Sequence, residues 1–340
     1  MILQNLDWGL LPFGYTKTNY NVRCVWKNGK WGELEVSSSE YLTLHIGSTV
    51  LHYGQEAFEG LKAFRGKDER IRLFRWEENA KRMQNSCKRI LMPEVPTELF
   101  RDAVIKAIKL NEDFVPPYGS GASLYIRPFI FGSGAGLGVK PSTEYTFIVF
   151  VSPVGPYFKT GFMPVDMLLV RSYDRAAPLG TGHIKAGGNY AAGLIATELA
   201  HSLGFANAIF LDAKEKAYID ECGPANFFGI KNNTYVTPES SSILPSITND
   251  SLFILAQKLG YKAERRKVHI SELADFSETG ACGTAAVITP IRRIYDYENK
   301  QEWTYTQDQP GPICTELYNY LTKLQCGDVN DEWNWNTFVD

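Results

Sequence analysis

The sequence predicts an α+β protein of two domains, and three observations carry that reading. In roughly the first 150 residues, strand-like runs gather around one pair of amphipathic helices instead of alternating with helices one by one, which is the α+β pattern. The stretch Pro153-Val154-Gly155-Pro156-Tyr157-Phe158-Lys159-Thr160-Gly161 places two prolines and two glycines between strand-like runs, a composition suited to a domain boundary. Beyond it the mixture of strands and helices begins again. Residues 1–152 therefore read as a smaller α+β domain, 153–161 as an interdomain loop and 162–340 as a larger mixed domain.

In order along the chain, residues 22–26 and 31–36 are apolar-rich runs flanking Lys27-Asn28-Gly29-Lys30. Asn-Gly favours a two-residue hairpin turn, because both central positions need positive φ. A second hairpin is expected between residues 61–64 and 71–74, turning near Arg65-Gly66-Lys67-Asp68. Ala80, Met83, Cys87 and Ile90 mark one face of a helix ending before Pro93. Leu99, Phe100, Ala103, Val104, Ala107 and Ile108 mark another behind a Thr97 cap. Strands follow at 123–131 and 145–151.

The segment Gly132-Ser133-Gly134-Ala135-Gly136-Leu137-Gly138 offers a superficial dinucleotide fingerprint. It runs on into Val139-Lys140-Pro141-Ser142 and not into a helix, so no helix N-terminus awaits a pyrophosphate, and it reads as a loop. In the second half, 165–170 and 208–211 read as strands, with 216–220 returning antiparallel to the latter. Ala191, Leu194, Ile195, Leu199 and Leu203 mark a helix stopped by Gly204, and residues 248–259 another closed by Gly260.

Composition excludes several function classes. The 340 residues are 44% hydrophobic and 21% charged, enough for a sizeable core. A net charge of −3 argues against a nucleic-acid binder, and no apolar run reaches the length of a membrane span. The six cysteines include no C-x-x-C pair, and the start M-I-L-Q-N-L-D-W has neither the basic nor the long apolar region of a signal peptide. The reading is a cytoplasmic protein. No metal-ligand spacing appears.

The most informative stretch is Gly180 to Gly193, G-T-G-H-I-K-A-G-G-N-Y-A-A-G, in which Lys185 stands among small residues just ahead of a helix. A strongly hydrated lysine crowded by residues that admit close backbone approach suggests a side chain aimed at a ligand; the alternative is a turn lysine reaching solvent. Glu221 ends a strand and opens E-C-G-P-A-N-F-F. Arg82, read by itself, is a solvated helix charge beside Lys81, Lys88 and Arg89.

A-A-P-L-G-T-G-H-I-K-A-G-G-N-Y resembles the cofactor-lysine segment of branched-chain amino acid aminotransferases, pyridoxal-phosphate enzymes of fold type IV with a small α+β domain and a larger mixed α/β pseudo-barrel domain. L-H-Y-G-Q-E-A-F-E-G-L-K-A-F at 51–64, L-Y-I-R-P at 124–128, the Glu221 motif, I-L-P-S-I-T at 243–248 and G-T-A-A-V-I-T-P at 283–290 resemble the family in order and separation, as does the tail Glu332-Trp333-Asn334-Trp335.

The resemblance implies a homodimer with its active site between the domains, in which Lys185 binds pyridoxal 5'-phosphate covalently and shuttles the proton at the substrate Cα. Glu221, with Asn226 in the same motif, and Tyr190 would tune the ring. Arg82, the helix entry at Ile247 and Thr248, and Thr284 would hold the phosphate. Tyr125 and the amides of Thr284 and Ala285 would receive the α-carboxylate. Phe58 would line an apolar pocket, and Tyr53 with Arg127 would meet the distal carboxylate of glutamate.

The implied activity is amino transfer between leucine, isoleucine or valine and 2-oxoglutarate by a ping-pong mechanism. D-amino acid aminotransferases and aminodeoxychorismate lyases share the lysine and phosphate elements but differ in the pocket. A nicotinamide oxidoreductase would need the helix missing after the glycines. A non-catalytic cofactor-binding module would retain its role without Lys185. Two departures stand out: no C-x-x-C follows G-T-A, so thiol regulation there is not expected, and Pro224 interrupts the acidic motif.

Overall fold

A computed structural model describes residues 6–157 and 161–339 of the chain. Residues 158–160 of the expected interdomain loop lie outside the described residues, as do the first five. Contacts divide the chain into two compact units. One comprises Met1–Pro156, Ile184–Gly187 and Leu324–Asp340, and the other Tyr157–His183 and Gly188–Lys323. The short Lys185 segment thus packs with the first unit, although sequence order sets it inside the second half.

The first unit is built on an antiparallel sheet of β1 (Asn21–Lys27), β2 (Lys30–Trp31), β3 (Glu35–Ser37), β4 (Glu56–Phe58), β5 (Leu61–Arg65), β6 (Ile71–Phe74), β7 (Ser123–Gly132) and β8 (Glu144–Val154), edged by the C-terminal strand Asn336–Phe338. The long pair β7 and β8 forms its centre, with Tyr125 opposite Ser152 and Arg127 opposite Phe150. The Asn28-Gly29 turn takes φ 54° and 81°, and Lys27 pairs with Lys30, as the sequence requires. The second hairpin also forms, with Ala63 opposite Leu73.

After the short α1 (Thr49–Tyr53), α2 (Trp76–Arg89) and α3 (Thr97–Lys109) cover one face of the sheet. Ala80, Met83 and Cys87 of α2, with Phe100, Val104 and Ile108 of α3, bury against Leu61, Leu73, Leu124 and Phe147. One detail differs from the sequence reading. Pro96, and not Thr97, occupies the cap position of α3; Thr97 is already helical and its hydroxyl accepts from Gln84 at 3.2 Å. Proline fixes the extended approach to the helix, so the threonine moves one place inward.

The second unit contains α4 (Gly187–Ser202), α5 (Ile247–Lys258) and β9 (Val165–Val170), β10 (Asn207–Leu211), β11 (Ile219–Cys222), β12 (Ala225–Lys231), β13 (Thr234–Pro238), β14 (Lys262–Arg266), β15 (Glu278–Gly283), β16 (Val287–Asp296) and β17 (Gln301–Thr304). The strands run in the order β11-β10-β9-β16-β15-β12, and β11 pairs again with β12. That last ladder closes the sheet into a six-stranded barrel, with β13 and β14 as an extension. The pairs β9–β10, β9–β16 and β13–β14 are parallel, giving a mixed barrel.

Alternation along β9 separates two cores. Met167 and Leu169 pack with Ile209, Phe227, Ile291 and Ile294, whereas Leu168 and Val170 pack with Phe210 and with Ala196 and Ala200 of α4. The expected helix before Gly204 forms as α4, and its buried face is made of small residues. Leu194, Ile195 and Leu203 are exposed, and Gly193, Ala196 and Ala200 face the sheet. A Cβ on Gly193 would lie 3.5 Å from the Phe210 ring, so the small residues let helix and strand approach closely.

Candidate active site

Lys185 is fixed through its backbone by two elements of the first unit, α2 and β4. Its N–H donates to Ser86 Oγ of α2 at 3.0 Å, and its carbonyl accepts from the Phe58 N–H of β4 at 3.0 Å. Two residues on, the Gly187 N–H donates to the Glu56 carboxylate. The Lys185 ammonium stands 4.7 Å from the centre of the Phe58 ring, and the Arg127 guanidinium carbon 4.8 Å from the same centre. Cations are attracted to the negative face of an aromatic ring, so Phe58 orients both.

Arg127 also donates to the Tyr125 hydroxyl at 3.1 Å, and the Phe13 ring meets the Tyr125 ring edge-on at 5.2 Å. A Cβ on Gly60 would fall 2.0 Å from the Tyr125 hydroxyl oxygen. Only glycine leaves room for that hydroxyl. Lys62, directly opposite Tyr125 across β5 and β7, is buried, and burial pushes its ammonium down to about 8.

Arg82 is not a solvated helix charge. Its Nε and Nη2 each donate at 2.8 Å to the two oxygens of Glu59, which is fully buried and also accepts from Asn79 at 2.8 Å. A bidentate arginine–carboxylate pair of this kind fixes the direction of the guanidinium as well as its charge.

In the second unit, Glu221 and Asn226 face one another across β11 and β12. Glu221 Oε1 accepts from the Leu244 N–H at 2.6 Å, while Asn226 donates to the Leu244 carbonyl at 3.2 Å, so the two side chains hold the backbone of one residue at both of its polar groups. Arg175 lies 3.3 Å from Glu221, and both are buried. The turn between the strands explains Pro224. Gly223 takes φ 57° at the first central position, and the fixed negative φ of proline suits the second. Glu221, Arg175, Tyr190, Asn189, Tyr157 and Pro224 are among the residues lining a cavity of about 210 Å³.

α5 begins one residue earlier than the sequence suggested. Ser246 caps it by accepting from the Asn249 N–H at 3.2 Å, which leaves the Ile247 and Thr248 amides at the open helix end. Thr284 and Ala285 form the turn joining β15 to β16, near the Asn226–Cys282 pairing. Burial pushes the Cys282 thiol up to about 12.

The first unit therefore gathers Lys185, Phe58, Tyr125 and Arg127 on one patch, with Arg82 held by Glu59. The second gathers Tyr190 and Glu221 around one cavity, with Asn226 bonded like Glu221 to the backbone of Leu244. The Tyr53 hydroxyl donates to the Leu137 carbonyl. Glu56, Glu59, Ser86, Arg175 and Phe13 were not singled out in the sequence. Glu59 lies within the quoted F-E-G-L-K motif, and Arg175 immediately precedes A-A-P, so motif position was the one signal available.

The model of the family Amino-transferase class IV matches residues 56–294. The chain is 49% identical to the branched-chain-amino-acid aminotransferase of Haemophilus influenzae, covering 99% of this chain and 100% of that one. Among solved structures it is similar to the Escherichia coli branched-chain amino acid aminotransferase, with a TM-score of 0.79 and 30% identity over 95% of this chain and 100% of that one. The Thermobaculum terrenum branched-chain amino acid aminotransferase in its PLP form gives a TM-score of 0.78 and 25% identity over 95% and 99% of the two chains. With the closed mixed barrel, the glycine-flanked lysine and the gripped Glu221 already in place, this chain belongs to the class IV amino-transferases and, among them, to the branched-chain-amino-acid aminotransferases.

Proposed function

We propose that the chain transfers the amino group between L-leucine, L-isoleucine or L-valine and 2-oxoglutarate, with pyridoxal 5'-phosphate as its cofactor. The observation that carries this reading is the fixing of Lys185 by Ser86 and Phe58, with Gly187 held by Glu56, which presents one amine against an aromatic ring. The donor set fits the cofactor. A buried carboxylate at Glu221 suits a protonated ring nitrogen, Tyr190 in the same cavity suits the phenolic oxygen, and the open amides of Ile247 and Thr248 suit a phosphate. Arg82 and Thr284 complete the phosphate group of residues, and Asn226 holds the carbonyl of Leu244, the residue whose N–H Glu221 accepts from. When bound, pyridoxal 5'-phosphate supplies the electron sink and carries the amino group from one half-reaction to the next.

The chain's own residues then divide the work. Lys185 takes the proton from the substrate Cα. Phe58 keeps water from that amine and offers an apolar wall to a branched side chain. Tyr125 and the amides of Thr284 and Ala285 orient the α-carboxylate, and Arg127, with Tyr53, receives the distal carboxylate of glutamate or 2-oxoglutarate. A homodimer is supported by the exposed Leu137, Val139 and Ile46 of the first unit, side chains that a partner subunit would cover. A cytoplasmic setting is supported by six cysteines that are all free thiols.

The test is the visible absorption of the purified protein with the cofactor. A yellow band that bleaches with L-leucine alone and returns with 2-oxoglutarate supports both half-reactions. A response to D-alanine and not to L-leucine sinks the branched-chain reading. Lys185→Ala should keep its far-ultraviolet circular dichroism and lose turnover.

A further inference from the structure

The N-terminal segment crosses the first unit beside Tyr125, and the proposed reaction assigns it no part. From Leu11 to Tyr20 it is tied to β8 and to the end of α3. The Gly155 N–H donates to the Pro12 carbonyl at 3.2 Å, and a Cβ on Gly155 would collide with the Leu11 carbonyl oxygen, so the segment meets the strand end backbone to backbone. Further along, the Thr18 hydroxyl donates to the Val151 carbonyl at 3.1 Å. The Asn111 side-chain oxygen accepts from the Asn19 and Tyr20 N–H groups at 2.8 and 3.0 Å.

The middle of this strap is held by the buried hydroxyl of Ser152. Ser152 Oγ accepts from the Thr16 N–H at 2.8 Å, and its own O–H faces the Gly14 carbonyl at 3.2 Å and the Thr16 carbonyl at 3.3 Å. Ser152 is 3% exposed, whereas Gly14 and Tyr15 lie in solvent. In the register of β7 and β8, Ser152 stands directly opposite Tyr125, and side chains so placed leave one face of the sheet with Cβ atoms about 4.5–5.5 Å apart. Phe13 immediately precedes the glycine that Ser152 holds, and its ring meets the Tyr125 ring edge-on, with centres 5.2 Å apart and planes at 81°. The hydroxyl end of Tyr125 is bounded by Gly60, which has no room for a Cβ there, and by Arg127 Nη2 at 3.1 Å.

We propose that Ser152 is a positioning residue for the substrate α-carboxylate: by tying Gly14 and Thr16 it seats the Phe13 ring against Tyr125, and so fixes the direction in which the Tyr125 hydroxyl is presented. The inference rests on the reading of Tyr125 as a receiver of that carboxylate. The Tyr125 oxygen accepts from Arg127, which leaves its own proton to be donated, and such a donor serves an arriving carboxylate only while it points at one place. With Phe13 against it the ring keeps one position. Once the strap lifts, space opens beside the ring, and binding weakens by the fraction of time the hydroxyl points elsewhere. Leucine and 2-oxoglutarate share the α-carboxylate and differ in their side chains, so the loss falls equally on both. An exposed strap held by a few hydrogen bonds opens without unfolding the sheet beneath it.

The test uses the cofactor-loaded enzyme, with 4-methylvalerate and glutarate as probes, since each offers a carboxylate and carries no amino group to react. In calorimetric titration, Ser152→Ala should raise the Kd of both by one factor, about threefold to tenfold. In steady state, KM for L-leucine and for 2-oxoglutarate should rise together while kcat holds, the mark of lost uniform binding. Hydrogen exchange should show the Thr16 amide losing protection while the amides of β7 and β8 keep theirs. Phe13→Ala should raise the same two Kd values, and adding Ser152→Ala to it should change them little further, because the tie then has no ring to seat; a serine that only stabilises the sheet would act alike in both backgrounds. Unchanged Kd values in Ser152→Ala, a rise for one probe alone, or full additivity in the double variant overturns the proposal. If Ser152→Ala does not fold, Phe13→Ala decides: an equal rise in both constants upholds the proposal and unchanged constants overturn it. Tyr125→Phe keeps the ring and removes the hydroxyl, and so separates the two levels. If it raises both constants while Ser152→Ala and Phe13→Ala raise neither, the role of Ser152 alone fails. If Tyr125→Phe leaves them unchanged, the reading of Tyr125 fails and the proposal with it.

Discussion

Phe58 holds Lys185 twice: its backbone N–H donates to the Lys185 carbonyl at 3.0 Å, and its ring centre lies 4.7 Å from the Lys185 ammonium nitrogen. The first contact survives any substitution that keeps the strand, whereas the second is lost with the ring. Phe58→Ala should therefore leave the fold in place and lower kcat/KM for L-leucine about tenfold, as loss of a desolvated cation–π contact allows. Steady-state kinetics beside circular dichroism checks this, and an unchanged kcat/KM would show that the ring is only packing.

The pair Glu59 and Arg82 lies almost wholly out of water, with Glu59 fully buried. Removing one member leaves the other charge buried without its counterpart, at a cost of about 3–5 kcal/mol. Glu59→Ala should lower the midpoint of urea unfolding accordingly and weaken cofactor retention on dialysis. Full stability in this variant would mean that Asn79 and neighbouring groups compensate.

Gly223 has φ 57°, and a Cβ there would lie 2.3 Å from Asn207 Oδ1. Both strain and collision act against a side chain, so Gly223→Ala should cost about 1–3 kcal/mol in thermal unfolding. Because the turn sets Glu221 opposite Asn226, cofactor affinity should fall with it. A stable variant with unchanged affinity contradicts this account.

Lys62 has a folded value of about 8 against an ordinary 10.5, with burial as the cause. Between these values the unfolded chain holds a proton that the native chain does not, so stability should rise as pH climbs through the window. The rise should amount to about 3 kcal/mol and be absent from Lys62→Met. Denaturant titrations across the window decide it; parallel profiles for the two proteins would refute the burial of a charge at this position.

Cys282 is fully buried and its thiol is pushed up to about 12 by that burial. The native protein at mildly alkaline pH should leave Cys282 unmodified by iodoacetamide, and unfolding should expose it. Peptide mass analysis of the labelled protein reads the outcome directly, and rapid native labelling would show an accessible thiol.

Much of the architecture was written locally. Asn28-Gly29 specified its hairpin because both residues readily take the positive φ of this two-residue turn, and the apolar periods of α2 and α3 specified which faces are buried. For α4 the period marked the helix but not the face that is buried. Its large apolar residues are exposed and its small ones buried, because the allowed distance to Phe210, absent from any periodicity, chose the face.

The glycine-flanked Lys185 and the acid Glu221 were legible by residue type and motif. Their settings were not. Lys185 is fixed by Ser86, 99 residues away, and Gly187 by Glu56, 131 residues away. Arg82 changed from a surface charge to half of a buried pair once Glu59 lay against it. The sequence determined the turns, the helices and the chemical type of each group. The tertiary structure decided which distant strand edges met and which charges found a partner, because burial and pairing are properties of neighbours in space and leave no period along the chain.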